Sequence, residues 1–277
     1  MLRSAPHTLR SFGGLRPPHS LRSLFCLSLV HRPLLRSAPH TLRSFGGLRP
    51  PHSLRSCKYT PTRFDGHQCE LLLRIYEQRA GGASQLTPLL DRLRVGDTVE
   101  MRGPVGIHRY GEEGPGSFRE GKKQFAGMKR VLMLAGGTGV TPMIQVANDA
   151  LQNPADRTRL HIVLANTCKE DIMMKDELLA LAAASAGQLR ITFTLSRPPP
   201  PPQDSGEGSN TSSSLDFLEA SMSRGTFDES TLEAAGWVPC TEEEKDSCMV
   251  LVCGPPGFNK QARALVNAAG YSNMMVW

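Results

Sequence analysis

An apolar run that breaks into a glycine turn and resumes as an amphipathic segment, Val131-Leu-Met-Leu-Ala-Gly-Gly-Thr-Gly-Val-Thr-Pro-Met143, limits this chain more than any other feature. The run reads as a buried strand and Gly136-Gly137-Thr138-Gly139 as a tight turn. Thr141 is a suitable N-cap and Pro142 a suitable first helical residue, because no N–H is needed there. The predicted helix carries Met143, Ile144, Val146, Ala147 and Leu151 on one face. A glycine turn between a parallel strand and a helix presents backbone N–H groups at the positive end of the helix dipole. The pyrophosphate of a nucleotide fits such a place. A glycine turn alone also serves purely structural junctions, so companion motifs have to decide.

The wider sequence follows the same pattern. Strands are predicted at Val131–Ala135, Leu160–Asn166, Leu189–Leu195 and Met249–Cys253, and helices at Pro142–Leu151, Lys175–Ala184, Asp228–Ala235 and Asn259–Ala268. Such alternation gives a parallel sheet with helices on both faces, an α/β Rossmann-like domain over 126–277. A Pro/Ser-rich loop at 197–214 interrupts it. Upstream, Glu70–Tyr76 and Val99–Arg102 read as strands, Gln85–Leu93 as a short helix, and Gly103–Gly127 as a long glycine-rich connection.

The first 56 residues differ in texture. Leu2–Ser23 and Leu35–Ser56 are the same 22-residue sequence, and Leu24–Val30 between them is too short to span a bilayer. No Asp or Glu precedes Asp65, so residues 1–64, with ten Arg and Lys58, carry +11, while the remainder carries −5. The overall charge of +6 is therefore a property of the leader, and a nucleic-acid partner is not expected of the folded part. Arg/Ser-rich and acid-free composition suits a presequence, here expected to be mitochondrial, or a disordered tail. Residues 1–56 are accordingly set outside the fold. The seven cysteines lack CxxC or Cys/His spacing, so neither a disulfide framework nor a metal site is expected.

A second motif, Val250-Leu-Val-Cys-Gly-Pro-Pro-Gly-Phe258, is an apolar strand breaking into a proline-stiffened turn. Paired with Gly-Gly-Thr-Gly-Val-Thr-Pro-Met, it resembles the ferredoxin-reductase superfamily, and within it the NADH–cytochrome b5 reductases. Leu164–Ile172, Val95–Pro104 and Met275-Val-Trp277 follow in the expected order. The resemblance implies an FAD-binding antiparallel β-barrel, here a partial one over 57–125, ahead of the NADH-binding domain. It implies hydride transfer from NADH to FAD, then single electrons to a haem protein such as cytochrome b5. A monomer is expected. Peripheral membrane attachment stays open, as do cytoplasmic and endoplasmic reticulum locations. The flavin–NADH module of a nitrate reductase is a rival within the superfamily.

By resemblance, Gly136, Gly137, Thr138, Gly139 and Thr141 form the nucleotide turn, and Cys253, Gly254 and Pro255 border the nicotinamide. Asp171 reads the adenosine ribose and disfavours a 2′-phosphate. On the flavin side the matching motif is Cys57-Lys58-Tyr59-Thr60-Pro61, with Tyr59 against the ring system and Thr60 near its reactive nitrogen. Thr60 and Cys253 are thus the residues assigned to the reacting atoms. Cys57 stands where the family has an arginine, and a thiol cannot replace a charge-assisted phosphate contact. Arg74 matches a basic family position and is expected to supply part of that charge, and Thr87 keeps the chemistry of a phosphate turn. The family's earlier barrel strands have no counterpart, so Glu70–Tyr76 and Val99–Arg102 are expected to expose open edges. On that reading a nucleotide-binding remnant without redox turnover is the alternative, and a basic interaction module built on the arginine repeat is a third.

Overall fold

The computed structural model describes residues 7–10, 26–30, 56–64, 68–75, 86–97, 99–196, 228 and 241–277. The expected helix Asp228–Ala235 and the loop 197–214 lie outside the described residues. The second half is a five-stranded sheet built from β10 (Arg130–Gly136), β11 (Arg159–Asn166), β12 (Leu189–Leu195), β13 (Cys248–Cys253) and β14 (Met274–Val276). All neighbours are parallel, in the order β12-β11-β10-β13-β14.

The central strands β10 and β13 are nearly continuous apolar runs because both faces are covered. Val131, Met133, Ile162, Leu164, Met249 and Leu251 face one way, into a core shared with α2 (Val140–Gln152) and α3 (Lys175–Ala184). Leu132, Leu134, Val163, Val250 and Val252 face the other way, onto Ala262 and Val266 of α5 (Pro256–Ala268). Period-2 alternation within each strand thus fills two separate cores, as a doubly wound sheet requires. The short helix α4 (Glu242–Asp246) leads into β13 and is closed by a capping box between Thr241 and Glu244.

His161 sits in β11, buried, with Nε2 2.9 Å from the Thr192 hydroxyl on β12. Burial chiefly, and the Arg190 and Arg130 cations secondarily, lower its pKa to about 4. It is a neutral structural histidine.

The connection over Gly103–Gly127 is more ordered than its glycine content suggests. It forms an antiparallel three-stranded sheet of β7 (His108–Tyr110), β8 (Phe118–Glu120) and β9 (Lys123–Phe125). Several glycines there occupy turn conformations between the strands. The buried Tyr110 hydroxyl donates to Asp156 at 2.6 Å, and Asp156 also accepts from the Thr158 backbone N–H. This sheet is thereby tied to the loop before β11. His108 stacks on Trp277 with ring centroids 4.2 Å apart, which ties the same sheet to the last residue of the chain.

The first half differs from expectation most. β5 (Gln68–Leu71) lies between β4 (Pro61–Phe64) and β1 (His7–Arg10), and β2 (Cys26–Val30) lies between β3 (Ser56–Tyr59) and β6 (Glu100–Val105). Residues 7–10 and 26–30, set outside the fold by composition, therefore occupy the edges expected to be open. Strand pairing uses backbone N–H and C=O groups that every non-proline residue carries, so an Arg/Ser-rich composition does not prevent it. Two small antiparallel sheets result, with α1 (Leu86–Leu90) packed beside them through Leu90, Leu71 and Leu73.

Candidate functional site

The order β12-β11-β10-β13-β14 reverses direction between β10 and β13. In open parallel sheets the crevice beyond the carboxyl ends of two such strands is the ligand site. Both sequence motifs end there, because Ala135 of β10 is in register with Cys253 of β13.

The two turns interlock through missing side chains. A Cβ on Gly139 would collide with the carbonyl of Cys253 and lie 3.0 Å from the Gly254 nitrogen. On Gly254 a Cβ would lie 2.6 Å from the ring of Phe258, and on Gly136 one would lie 3.0 Å from Pro255. Gly137 is different: its φ is +55°, and only the Arg74 guanidinium comes near, 3.7 Å from where a Cβ would stand. The turn therefore has room beside the half-buried Gly137 and is packed tight at Gly136 and Gly139.

Helix α2 starts at Val140, two residues earlier than the sequence suggests. Gly137–Gly139 form a 3-10 turn that runs directly into it, with Gly139 at the N-cap. Thr141 is therefore not the N-cap. It lies inside the first turn, where its hydroxyl donates to the Thr138 carbonyl at 3.1 Å. No side chain caps α2; the Val140 N–H is instead taken up by the Gly137 and Thr138 carbonyls of the 3-10 turn that leads into it.

Asp171 closes the opposite side of the crevice, at the end of a 3-10 turn Lys169–Asp171 that follows β11. Its Oδ1 accepts from Arg74 Nη2 at 2.7 Å, and the aspartate side chain is almost wholly buried. Arg74 is thus drawn to the nucleotide side of the molecule, not to the flavin motif. Burial, followed by hydrogen bonds to the Glu170 and Asp171 carboxylates, holds the Cys168 thiol above its ordinary pKa, so it is a poor nucleophile.

Sequence reasoning missed Asn166, Gln145 and Phe258. Asn166, the last residue of β11, is buried, yet neither its amide nitrogen nor its amide oxygen has a hydrogen-bond partner. Leaving such groups unpaired costs about 1–3 kcal/mol each. An orphaned amide at the carboxyl edge fits a nucleotide that completes its bonding. An amide closing an apolar strand was the available signal. Phe258 fills the space between Gly136 and Gly254.

The flavin motif lies against the nucleotide half. Gln145 Nε2 of α2 donates to the carbonyl of Pro61 at 3.0 Å, so Thr60 and Pro61 are held at the seam. Thr60 is buried, Tyr59 half-buried and Lys58 exposed. Thr87, in the five-residue α1, is buried rather than open to a phosphate. The orphaned amide of Asn166 and the room beside Gly137 suit a nucleotide, while on the flavin side the expected cation Arg74 is engaged with Asp171. Among the described residues, no group of His, Cys, Asp and Glu is arranged to hold a metal, and no helix is long and apolar enough to cross a membrane.

Residues 133–264 match the family of oxidoreductase NAD-binding domains. NADH–cytochrome b5 reductase 1 of Arabidopsis thaliana is 33% identical over 219 residues, covering 78% of this chain and 63% of that protein. The NADH nitrate reductase of Ulva prolifera is 38% identical over 141 residues, covering 48% of this chain and 16% of that protein. The crystal structure of the cytochrome b5 reductase domain of that nitrate reductase superposes with a TM-score of 0.70 at 22% identity, covering 99% of this chain and 97% of the domain. The chain thus spans under two thirds of the length of these two full-length relatives.

Proposed function

Because the chain belongs to the cytochrome b5 reductase branch of the ferredoxin-reductase family, we propose that it takes a hydride from NADH and passes electrons through FAD to a one-electron haem acceptor such as cytochrome b5. The observation carrying this reading is the convergence of the Gly136–Gly139 turn and the Cys253–Pro255 turn at the sheet's switch point, with α2 bonded through Gln145 to Pro61 of the flavin motif. FAD, when bound, supplies the conversion of one two-electron transfer into two one-electron transfers, so each NADH serves two haem acceptors.

The chain's own residues bind and orient. Backbone N–H groups at Gly137 and the start of α2 hold the pyrophosphate, and Asp171 accepts from the adenosine ribose. Thr138 and Thr141 fix the turn. Cys253, Gly254 and Pro255 would border the nicotinamide, on a turn whose Cys253 carbonyl packs against Gly139. Cys253 positions and does not attack. Tyr59 and Thr60 provide the flavin contact at the seam, with Lys58 at its exposed side. The test is NADH-driven reduction of ferricyanide by the full chain supplied with FAD. Sustained turnover is expected, and inert protein that still binds NADH would sink the redox reading.

A second reading, nucleotide binding without turnover, is favoured by one observation: Arg74 pairs with Asp171 and leaves the flavin phosphates without that cation. It predicts NADH binding with no flavin retained.

A further inference from the structure

Two groups that would serve the same ligand are bonded to each other. Arg74 follows β5 in the first half of the chain, and Asp171 follows β11 in the second, yet Nη2 of one lies 2.7 Å from Oδ1 of the other. The same guanidinium turns Nη1 toward Gly137, where the nucleotide turn is open. A cation beside the nucleotide turn is placed for phosphate, and a carboxylate after the second strand is placed for ribose hydroxyls. While paired, each is withheld from the partner it would otherwise take. The Asp171 side chain is almost wholly buried, so the Arg74 guanidinium is the cation that balances it in the unliganded chain.

We infer that the Arg74–Asp171 ion pair is an exchange contact that competes with the dinucleotide. Binding moves Arg74 from the carboxylate to the pyrophosphate and releases Asp171 to the ribose. The inference rests on the reading of this crevice as the dinucleotide site. Its consequence is a reduced apparent affinity for phosphate, because only the fraction of molecules with Arg74 detached is competent. It also makes the two halves of the chain sense the nucleotide together, since the exchanged residues come one from each.

The opposite view is that the pair simply joins the two halves. The two views give opposite signs for one substitution. If the pair competes, Asp171→Asn frees Arg74 and tightens inorganic pyrophosphate by about three- to tenfold, the range of a partly buried ion pair. The same variant loses the preference for ADP over 2′-deoxy-ADP, because the ribose acceptor is gone. If the pair only joins the halves, pyrophosphate binding weakens or stays as it was. Calorimetry on the full chain, with NAD+, pyrophosphate and the two diphosphates as probes, reads all of these. In the unaltered chain, the Arg74 side-chain N–H resonance should shift as NAD+ is added, which tests the exchange without any variant. An unaltered chain that binds no NAD+ overturns the dinucleotide reading and the exchange with it. NAD+ binding accompanied by unchanged or weaker pyrophosphate affinity in Asp171→Asn, or by a fixed Arg74 resonance at saturation, overturns the exchange alone.

Discussion

The nucleotide half and the flavin half obey different rules within one chain. In the former, β10, β11 and β13 are mainly apolar runs each followed by a helix, and all neighbouring strands pair in parallel. In the latter, β5 and β6 complete their sheets with β1 and β2, taken from a leader of duplicated, arginine-rich sequence. A core built from local units is specified by the residues in each unit. An antiparallel sheet completed from a distant segment is specified by which edges remain free. The contrast predicts that damage to the two halves will have different signatures.

The sharpest break is at Gly139. Its φ of −62° is open to any residue, so only the approach to the Cys253 carbonyl forbids a side chain. Gly139→Val should abolish measurable NADH binding and destabilise the nucleotide half by roughly 1–3 kcal/mol, as overpacking does. Gly257→Val, where a Cβ meets open space, serves as the control and should leave the crevice intact. Calorimetry and thermal melting distinguish the two. If both variants bind NADH alike, the interlocked turns are not what shapes the site.

Acid should next weaken the nucleotide half selectively. In the unfolded chain His161 titrates near the ordinary histidine value of 6.5, and in the folded chain at about 4. Between those values the unfolded state holds more protons, so stability rises with pH through this window. The contribution is fully present above about pH 6.5 and lost as pH falls toward 4, on the order of 3 kcal/mol for this buried group. His161→Gln should flatten the melting temperature over that window; an unchanged slope would refute the assignment.

Removing residues 1–56 separates the halves from the other direction. The deletion takes β1 and β2 and should destabilise the flavin half by about 2 kcal/mol, a fall in melting temperature on the order of 8–16 °C, because ladder hydrogen bonds are lost from two sheets. NADH affinity should stay within about twofold. Unchanged melting would mean that the leader does not complete these sheets. The smallest effect is expected at Cys253. Cys253→Ala should slow turnover several-fold by loosening ring placement while leaving KM within about twofold.

These outcomes follow the line along which the sequence could be read. β12 and α3 have the bounds that their periodicity predicts, and β10, β11 and β13 differ from prediction by one or two terminal residues. Each is a local pattern of burial. The meeting of the glycine turn with the Cys253 turn was legible because strand ends in a parallel sheet share one edge. Arg74 was not: its strand suggested the flavin, but its long side chain reaches across the seam to Asp171. The N-cap was misassigned because a 3-10 turn absorbs Gly137–Gly139 before α2 begins. The pairing of residues 7–10 left no trace in hydropathy, and the apolar run that holds 26–30 gave no sign of its partners, since both pairings depend on backbone groups and on edges created elsewhere.

The account's central claim is that the flavin half, completed in this way, still serves the nucleotide half. It is tested most directly by the absorbance spectrum of the purified full chain, with FAD supplied and oxygen excluded, before and after NADH is added. The account predicts a retained yellow flavin band that bleaches on addition of NADH. A colourless protein that binds NADH but takes up no FAD would contradict it.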